Sequence, residues 1–259
     1  MLARGERAGH LDTGMEDLVV RSIADFVDAV RTVSERRGEL QWFRGQPGSD
    51  RPLVPSVFRG REPGDEVVVN ARFRLHAPTR RADCPAPDDF AGWLCLMQHY
   101  GLPTRLLDWT DSPLAALFFA VSHSGTSGPA SVWMLSPGVL NEAIGEPGAI
   151  MLAHEKARPL LEAAFLEPRA HDVAIAVVGQ DVDLRMSLQH AAFTLHGDPT
   201  PLEERPVAER FLARIAIPAE ARAGLVVDLD MLGIRRSTLF PDLESLAREL
   251  AETTGRLRR

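Results

Sequence analysis

The sequence predicts an α+β chain folded around one core. Three observations carry that reading. Apolar residues recur at helical spacing in some stretches, and alternate or run unbroken in others. No internal repeat, low-complexity tract or long linker divides the 259 residues. A chain of that length can bury about three quarters of its unfolded surface, so it needs no disulfide or metal to hold together.

Each element has a local cause. Ser22 is an N-cap for a helix that carries Ile23, Phe26, Val27, Val30 and Val33 on one face. Asp25 supports the cap and Gly38 supplies the stop. LQWFRGQ (40–46) reads as a short aromatic strand, and 44–64, rich in Gly, Pro and Arg, as an ordered loop. A helix is expected from Glu66 to Leu75, then a proline-bearing loop over 76–88. Residues 88–123 are the best organised. An apolar helix with Phe90, Trp93, Leu94 and Met97 ends at Gly101 and Pro103. A turn or short strand fills 104–111. Ser112 or Asp111 then caps a second helix with Pro113 in its first position. Leu114, Ala115, Leu117, Phe118 and Val121 make that helix apolar nearly all round, so deep burial is expected, with Trp93, Phe118 and Phe119 in the core. Further on, strands are expected at 130–135, 173–178, 191–197 and 211–218. Helices are expected at 149–166, at 219–232 before Gly233, and at 243–251 after an Asp242 cap. The domain is placed at 22–251, between a poorly ordered leader (1–21) and a basic tail (252–259).

Composition excludes several classes. No apolar run approaches the roughly 18 residues of a membrane span. The first residues lack the apolar core of a secretory signal. Cys84 and Cys95 alone make neither a disulfide framework nor a zinc site. A cytoplasmic protein without a membrane partner is expected. The net charge of −7 argues against a nucleic-acid-coating protein. Within it, residues 31–81 hold eleven arginines against six acids. That stretch is either a phosphate site or a solvated face, since arginine is the chain's usual cation and Lys156 its one lysine. His190 and His196 share one strand face, but two histidines make no metal centre, and no metal is expected. Phosphate-loop, dinucleotide-fingerprint, HExxH, CxxC and GxSxG motifs are absent.

Polar residues set in apolar sequence are the functional candidates. Gln98 and His99 end an apolar helix, either as local hydrogen-bonders or as site residues, and Tyr100, the chain's one tyrosine, either packs half-buried or stacks on a base or nicotinamide. Arg105 and Asp108 flank two leucines, followed by Trp109, Thr110 and Asp111. An Arg105–Asp108 pair would pin that turn; Glu66 and Asn70 are alternative partners for Arg44 or Arg105. Arg44, before Gly45 and Gln46, is placed to grip a phosphate or carboxylate, with the missing Cβ of Gly45 giving room.

WFRGQ (42–46), LVPSVFRG (53–60), WLCLMQHYGLPTRLLDWTDSPLAALFFAV (93–121), VWMLSP (132–137), LQHAAFTLHG (188–197) and GIRRSTLFPDLESLAREL (233–250) resemble the FRG domain family. Its members are bacterial and phage-associated, and often lie near toxin or defence genes. The layout is also similar to that of ADP-ribosyltransferases. This second resemblance implies a split mixed β-sheet core flanked by helices, with NAD as substrate. Arg44 would then bind its phosphates or ribose. Trp109 and Thr110 would lie under the nicotinamide. Gly45, Gln46, Gln98, His99 and Arg105 would complete the nucleotide site. The third catalytic position falls near Gln189, where the glutamate usual in those enzymes is absent and Asp108 could substitute. Ala191 stands where a glycine is expected.

Three functions follow. The first is an NAD-consuming toxin or phage-defence effector, with a macromolecular acceptor of nucleic acid or protein and an antitoxin or defence-system partner. The second is a non-catalytic module that binds a nucleotide or nucleic acid. The third is a metal-dependent nuclease using Asp108 and Glu66, disfavoured because only Asp111 lies near Asp108 in metal-like spacing.

Overall fold

The structure is a computed structural model. It describes residues 18–38, 40–48, 51–60, 64–123, 127–179, 192–239, 247 and 250. In chain order the elements are β1 (Leu18–Val19), α1 (Ile23–Arg37), β2 (Trp42–Gln46), α2 (Asp65–His76), α3 (Phe90–His99), β3 (Leu106–Trp109), α4 (Pro113–Val121), β4 (Ala130–Leu135) and α5 (Pro137–Asn141). There follow β5 (Ile150–Met151), α6 (Arg158–Phe165), β6 (Ala174–Val178), β7 (Ala192–His196), α7 (Ala208–Phe211), β8 (Leu212–Ile217), α8 (Arg222–Met231) and α9 (Arg236–Leu239).

Local chemistry sets the element ends. The Ser22 hydroxyl accepts from the Asp25 N–H at 3.1 Å, while the Asp25 carboxylate accepts from the Ser22 N–H, so the capping box closes. Gly38 ends α1 at φ 63°, a backbone shape that costs glycine nothing. Ser112, not Asp111, caps α4, and Pro113 takes the first turn.

The α+β class holds, with the strands parted into two mixed sheets. One has the order β1-β8-β4-β2 and the other β3-β7-β6-β5. In the first, β1 joins β8 in parallel while β8–β4 and β4–β2 are antiparallel. In the second, β5 joins β6 in parallel and the other pairs are antiparallel. The sheets face one another. Trp42, Trp133, Leu135 and Leu212 of the first meet Leu107, Trp109, Ala174 and Ala176 of the second. The outer face of the first packs on α1, α4 and α8, and that of the second on α3 and α6. Strand residues alternate between these cores, as the two-residue period requires. Among the described residues, no helix is long and apolar enough to cross a membrane.

Two expectations need correction. The stretch 149–166 is not one helix. Ile150 and Met151 pair in parallel with Val177 and Val178, and α6 starts only at Arg158. Pro159 explains the late start, because a proline is tolerated in the first turn and not further in. Phe119 is not core. It is 41% exposed, because α4 turns Ala116 and Ala120 toward β2 and presents Phe119 outward. The leader, the Asp242 cap and most of 243–251 lie outside the described residues.

Candidate functional site

Among the described residues, one backbone bridge joins the sheets edge to edge. Phe43 on β2 and Thr110 beyond β3 form an isolated antiparallel bridge, N···O 2.7 and 2.8 Å. In that register Gly45 and Asp108 would pair next. The strands part instead. The Asp108 carbonyl receives the Arg44 guanidinium, whose Nη1 donates to it at 2.7 Å. The Arg44 side chain thus spans the seam in place of a backbone ladder.

Gly45 explains why the chain can approach so closely. A Cβ there would strike the Ala116 carbonyl oxygen and stand 2.7 Å from Ala120 N. The expectation that Gly45 leaves room for a ligand is therefore corrected: backbone of α4 fills that side. Strand alternation then sends Arg44 the opposite way, into the seam.

A short polar chain orients the acid. The buried Thr104 hydroxyl accepts from the Leu106 N–H at 3.1 Å and donates to Gln98 Oε1. That leaves the Gln98 amide nitrogen to donate to Asp108 Oδ1 at 2.8 Å. Asp108 Oδ2 stands 3.9 Å from Arg44 Nη1, and the Asp108 side chain is 59% exposed. Arg44 is held more tightly inside, with its side chain 22% exposed. Its Nε is buried without a hydrogen-bond partner. Burial lowers the Arg44 pKa; Asp108 opposes that and the neighbouring Arg59 reinforces it. Arg59 is itself fixed on the Val54 carbonyl through Nε and Nη2.

The remaining candidates separate. Arg105 does not pair with Asp108. Its Nε donates to Glu66 Oε1 at 3.0 Å and its Nη2 to Glu66 Oε2. This is one of the alternatives open in the sequence, and it takes Arg105 away from the Arg44 cluster. Trp109 is buried between the sheets, where its Nε1 donates to the Thr194 hydroxyl at 3.1 Å. Gln46 is buried and accepts from Trp133 Nε1 at 2.9 Å. The Thr110 hydroxyl accepts from the Ser112 N–H at 3.1 Å, locking the turn into α4. The His99 ring stands edge-on to Tyr100, centroids 5.1 Å apart. Gln189 and His190 lie outside the described residues.

Two features escaped the sequence reading. Thr104 orients Gln98; a hydroxyl set between Pro103 and Arg105, next to a helix end, was the available signal. The second is a buried chain behind the seam, in which Thr194 Oγ1 lies 3.0 Å from His196 Nε2. His196 is fully buried, and its Nδ1 has no hydrogen-bond partner. Burial drives its pKa down to about 3, helped by Arg205, Arg44 and Arg105 and resisted by Asp198. The alternation of Thr194 and His196 on one face of an apolar strand was visible, yet carries no specific chemistry by itself.

The arrangement defines an α+β protein with two mixed sheets, whose seam holds a partly satisfied arginine against an accessible aspartate. Residues 39–127, which run from just before β2 to just past α4, match the FRG domain family, and the chain carries an FRG domain. Comparison with curated proteins and with solved structures returns no match.

Proposed function

We propose that the seam binds the phosphate and ribose part of a nucleotide, and that the nucleotide is NAD. One observation carries the binding. Arg44 Nε is buried and unpartnered beside an accessible carboxylate. Leaving such a donor unpaired costs about 1–3 kcal/mol, so the guanidinium is under-satisfied, and a ligand acceptor would meet it through the 22% of the side chain that is exposed. Arg44 would donate to a phosphate oxygen, with the Arg59 charge reinforcing the attraction. Asp108, aimed by Gln98, would accept from ribose hydroxyls.

NAD follows from the resemblance to ADP-ribosyltransferases. In that chemistry nicotinamide leaves with the electron pair of the glycosidic C–N bond. The sugar carbon becomes positive in the transition state and then bonds to water or to a macromolecular acceptor, which gives up a proton. Asp108 is the carboxylate in the seam that would stabilise this charge. The protein would act as an NAD-consuming toxin or defence effector.

The test uses adenylate-labelled NAD with purified protein and bacterial lysate, followed by separate nuclease and protease digestion. Transferred label or released nicotinamide, lost in Arg44→Ala and in Asp108→Ala, is the expected result. Arg44→Ala should weaken NAD binding by about tenfold or more, since a hydrogen bond to a charged group contributes roughly 1.5–3 kcal/mol. Saturable binding that falls with salt, without nicotinamide release, would leave a nucleotide-binding module in place of an enzyme. The like charge of Arg59, near enough to help lower the Arg44 pKa, is the observation that favours this second reading.

A further inference from the structure

Between Glu66 and Asp83 the chain carries four arginines and a histidine and no acid. Arg74 turns inward: its guanidinium carbon lies 5.4 Å from the centre of the Phe90 ring and 5.6 Å from that of Phe165, and its Nη2 donates to the Pro87 carbonyl. Arg72, His76 and Arg80 stay exposed. Arg72 and His76 lie one turn apart on α2 and share a face. Arg80 continues that ridge past the helix end, where its Nη1 donates to the His76 carbonyl at 3.0 Å. Among the described residues, Arg72 and Arg80 form no ion pair.

The chain's one tyrosine joins this ridge. Tyr100 follows α3 and is 60% exposed. Its backbone is fixed: the Tyr100 N–H donates to the Leu96 carbonyl at 3.2 Å, Gly101 to Gln98 at 3.0 Å and Leu102 to Met97 at 2.9 Å. The His99 ring stands perpendicular to it, and Arg81 Nη1 lies 3.5 Å from its hydroxyl. Arg81 is the neighbour of Arg80, so ring and ridge form one surface. Single-stranded nucleic acid uses this combination, with phosphates on arginines and an unpaired base stacked on an aromatic ring. A duplex keeps its bases stacked on each other, and an acidic peptide would leave the ring unused. The net charge of −7 repels phosphate elsewhere, which confines contact to this stretch.

We propose that Arg72, Arg80, Arg81 and Tyr100 form a docking surface for single-stranded nucleic acid. It lies close to the seam, because Gln98, two residues before Tyr100, holds Asp108. A strand bound here is placed as the macromolecular acceptor, a role that rests on the NAD reading above; the binding itself does not.

Fluorescence anisotropy on the full chain, without NAD, tests the binding, with fluorescein-labelled oligothymidylate and oligouridylate as the DNA and RNA probes. At least one strand should bind saturably, and a duplex of the same length about tenfold more weakly or worse. Tyr100→Ala should weaken the strand about tenfold, and Tyr100→Phe, which keeps the ring, should not. Arg80→Gln should lower the slope of log affinity against log salt by about 0.7. The proposal is overturned if neither strand binds saturably, if the duplex binds as tightly, if Tyr100→Ala leaves affinity unchanged, or if the salt slope survives Arg80→Gln. Displacement by polyglutamate as effective as by unlabelled strand would reveal a general anion surface and equally defeat it. A seam that fails to bind NAD leaves this binding intact and removes only the acceptor role.

Discussion

Arg44 and Arg105 are two arginines set in apolar surroundings and held in opposite ways. Arg105 closes a bidentate pair with Glu66, both side chains being at least nine-tenths buried. Arg44 holds one backbone carbonyl and faces an exposed carboxylate at 3.9 Å. The first guanidinium completes its main contact inside the protein. The second keeps capacity for something outside it. A buried charge neutralised by an equally buried partner reads as architecture, and one that faces an exposed carboxylate at longer range reads as a site.

Substitution separates the two most strongly at Arg105. Arg105→Met strands the Glu66 carboxylate and should cost about 3–5 kcal/mol in urea unfolding. Adding Glu66→Leu should return most of that loss. Arg44→Met should cost only about 1 kcal/mol, because loss of its hydrogen bond is offset by removal of the unpaired Nε. Equal losses at the two arginines would erase the contrast.

Gly45→Ala tests the strand beneath Arg44. The added methyl meets backbone of α4, which cannot rotate away, so a loss of about 3 kcal/mol is expected by the same assay. Wild-type stability in Gly45→Ala would mean that β2 is free to shift and that the seam geometry is not fixed by α4.

His196 lies within the field of both arginines and supplies a pH arm. Its folded pKa of about 3 lies below its ordinary value of 6.5, so the unfolded chain binds the extra proton. Its contribution is therefore present above pH 6.5 and is lost as pH falls from there toward 3. Between pH 7 and pH 5 the loss should be about 2 kcal/mol. His196→Phe should flatten that part of the stability–pH curve, and an unchanged slope would contradict the buried neutral ring.

The smallest expected effect is at Gln98. Gln98→Leu releases Asp108 Oδ1 and should cost about 1 kcal/mol of stability. If Asp108 acts on the ligand, the same change should reduce NAD affinity or turnover more than it reduces stability, as calorimetry and a nicotinamide-release assay would show.

Much of the fold was legible because its causes are local. Ser22 with Asp25, Gly38, and Ser112 with Pro113 mark helix ends by the hydrogen bonds and dihedral angles their own side chains allow. The buried strands announced themselves as apolar runs. Long-range pairing was not legible. Ile150 and Met151 join β6, more than twenty residues onward, and nothing within 149–166 states that partner. Phe119 fails for a related reason: a helix apolar all round does not say which residue its neighbours leave uncovered. At the site, Arg44, Gln98 and Asp108 were recognisable as polar groups in apolar sequence, and they do converge. The partner of Arg105 was one of several candidates, since a pair separated by 39 residues is chosen by packing. The role of Gly45 was read as ligand access because its true neighbour, α4, lies far along the chain.

The alternation of Phe43, Arg44 and Gly45 also polices the strand's own alignment. Phe43 packs with α4, Gly45 admits the helix backbone, and Arg44 points the other way. A slip of β2 by one residue would drive a guanidinium into a helix and put an aromatic ring in the seam. Three consecutive side chains, none interchangeable with its neighbour, thus act as a checksum on register, and misaligned sheets are penalised before any ligand arrives.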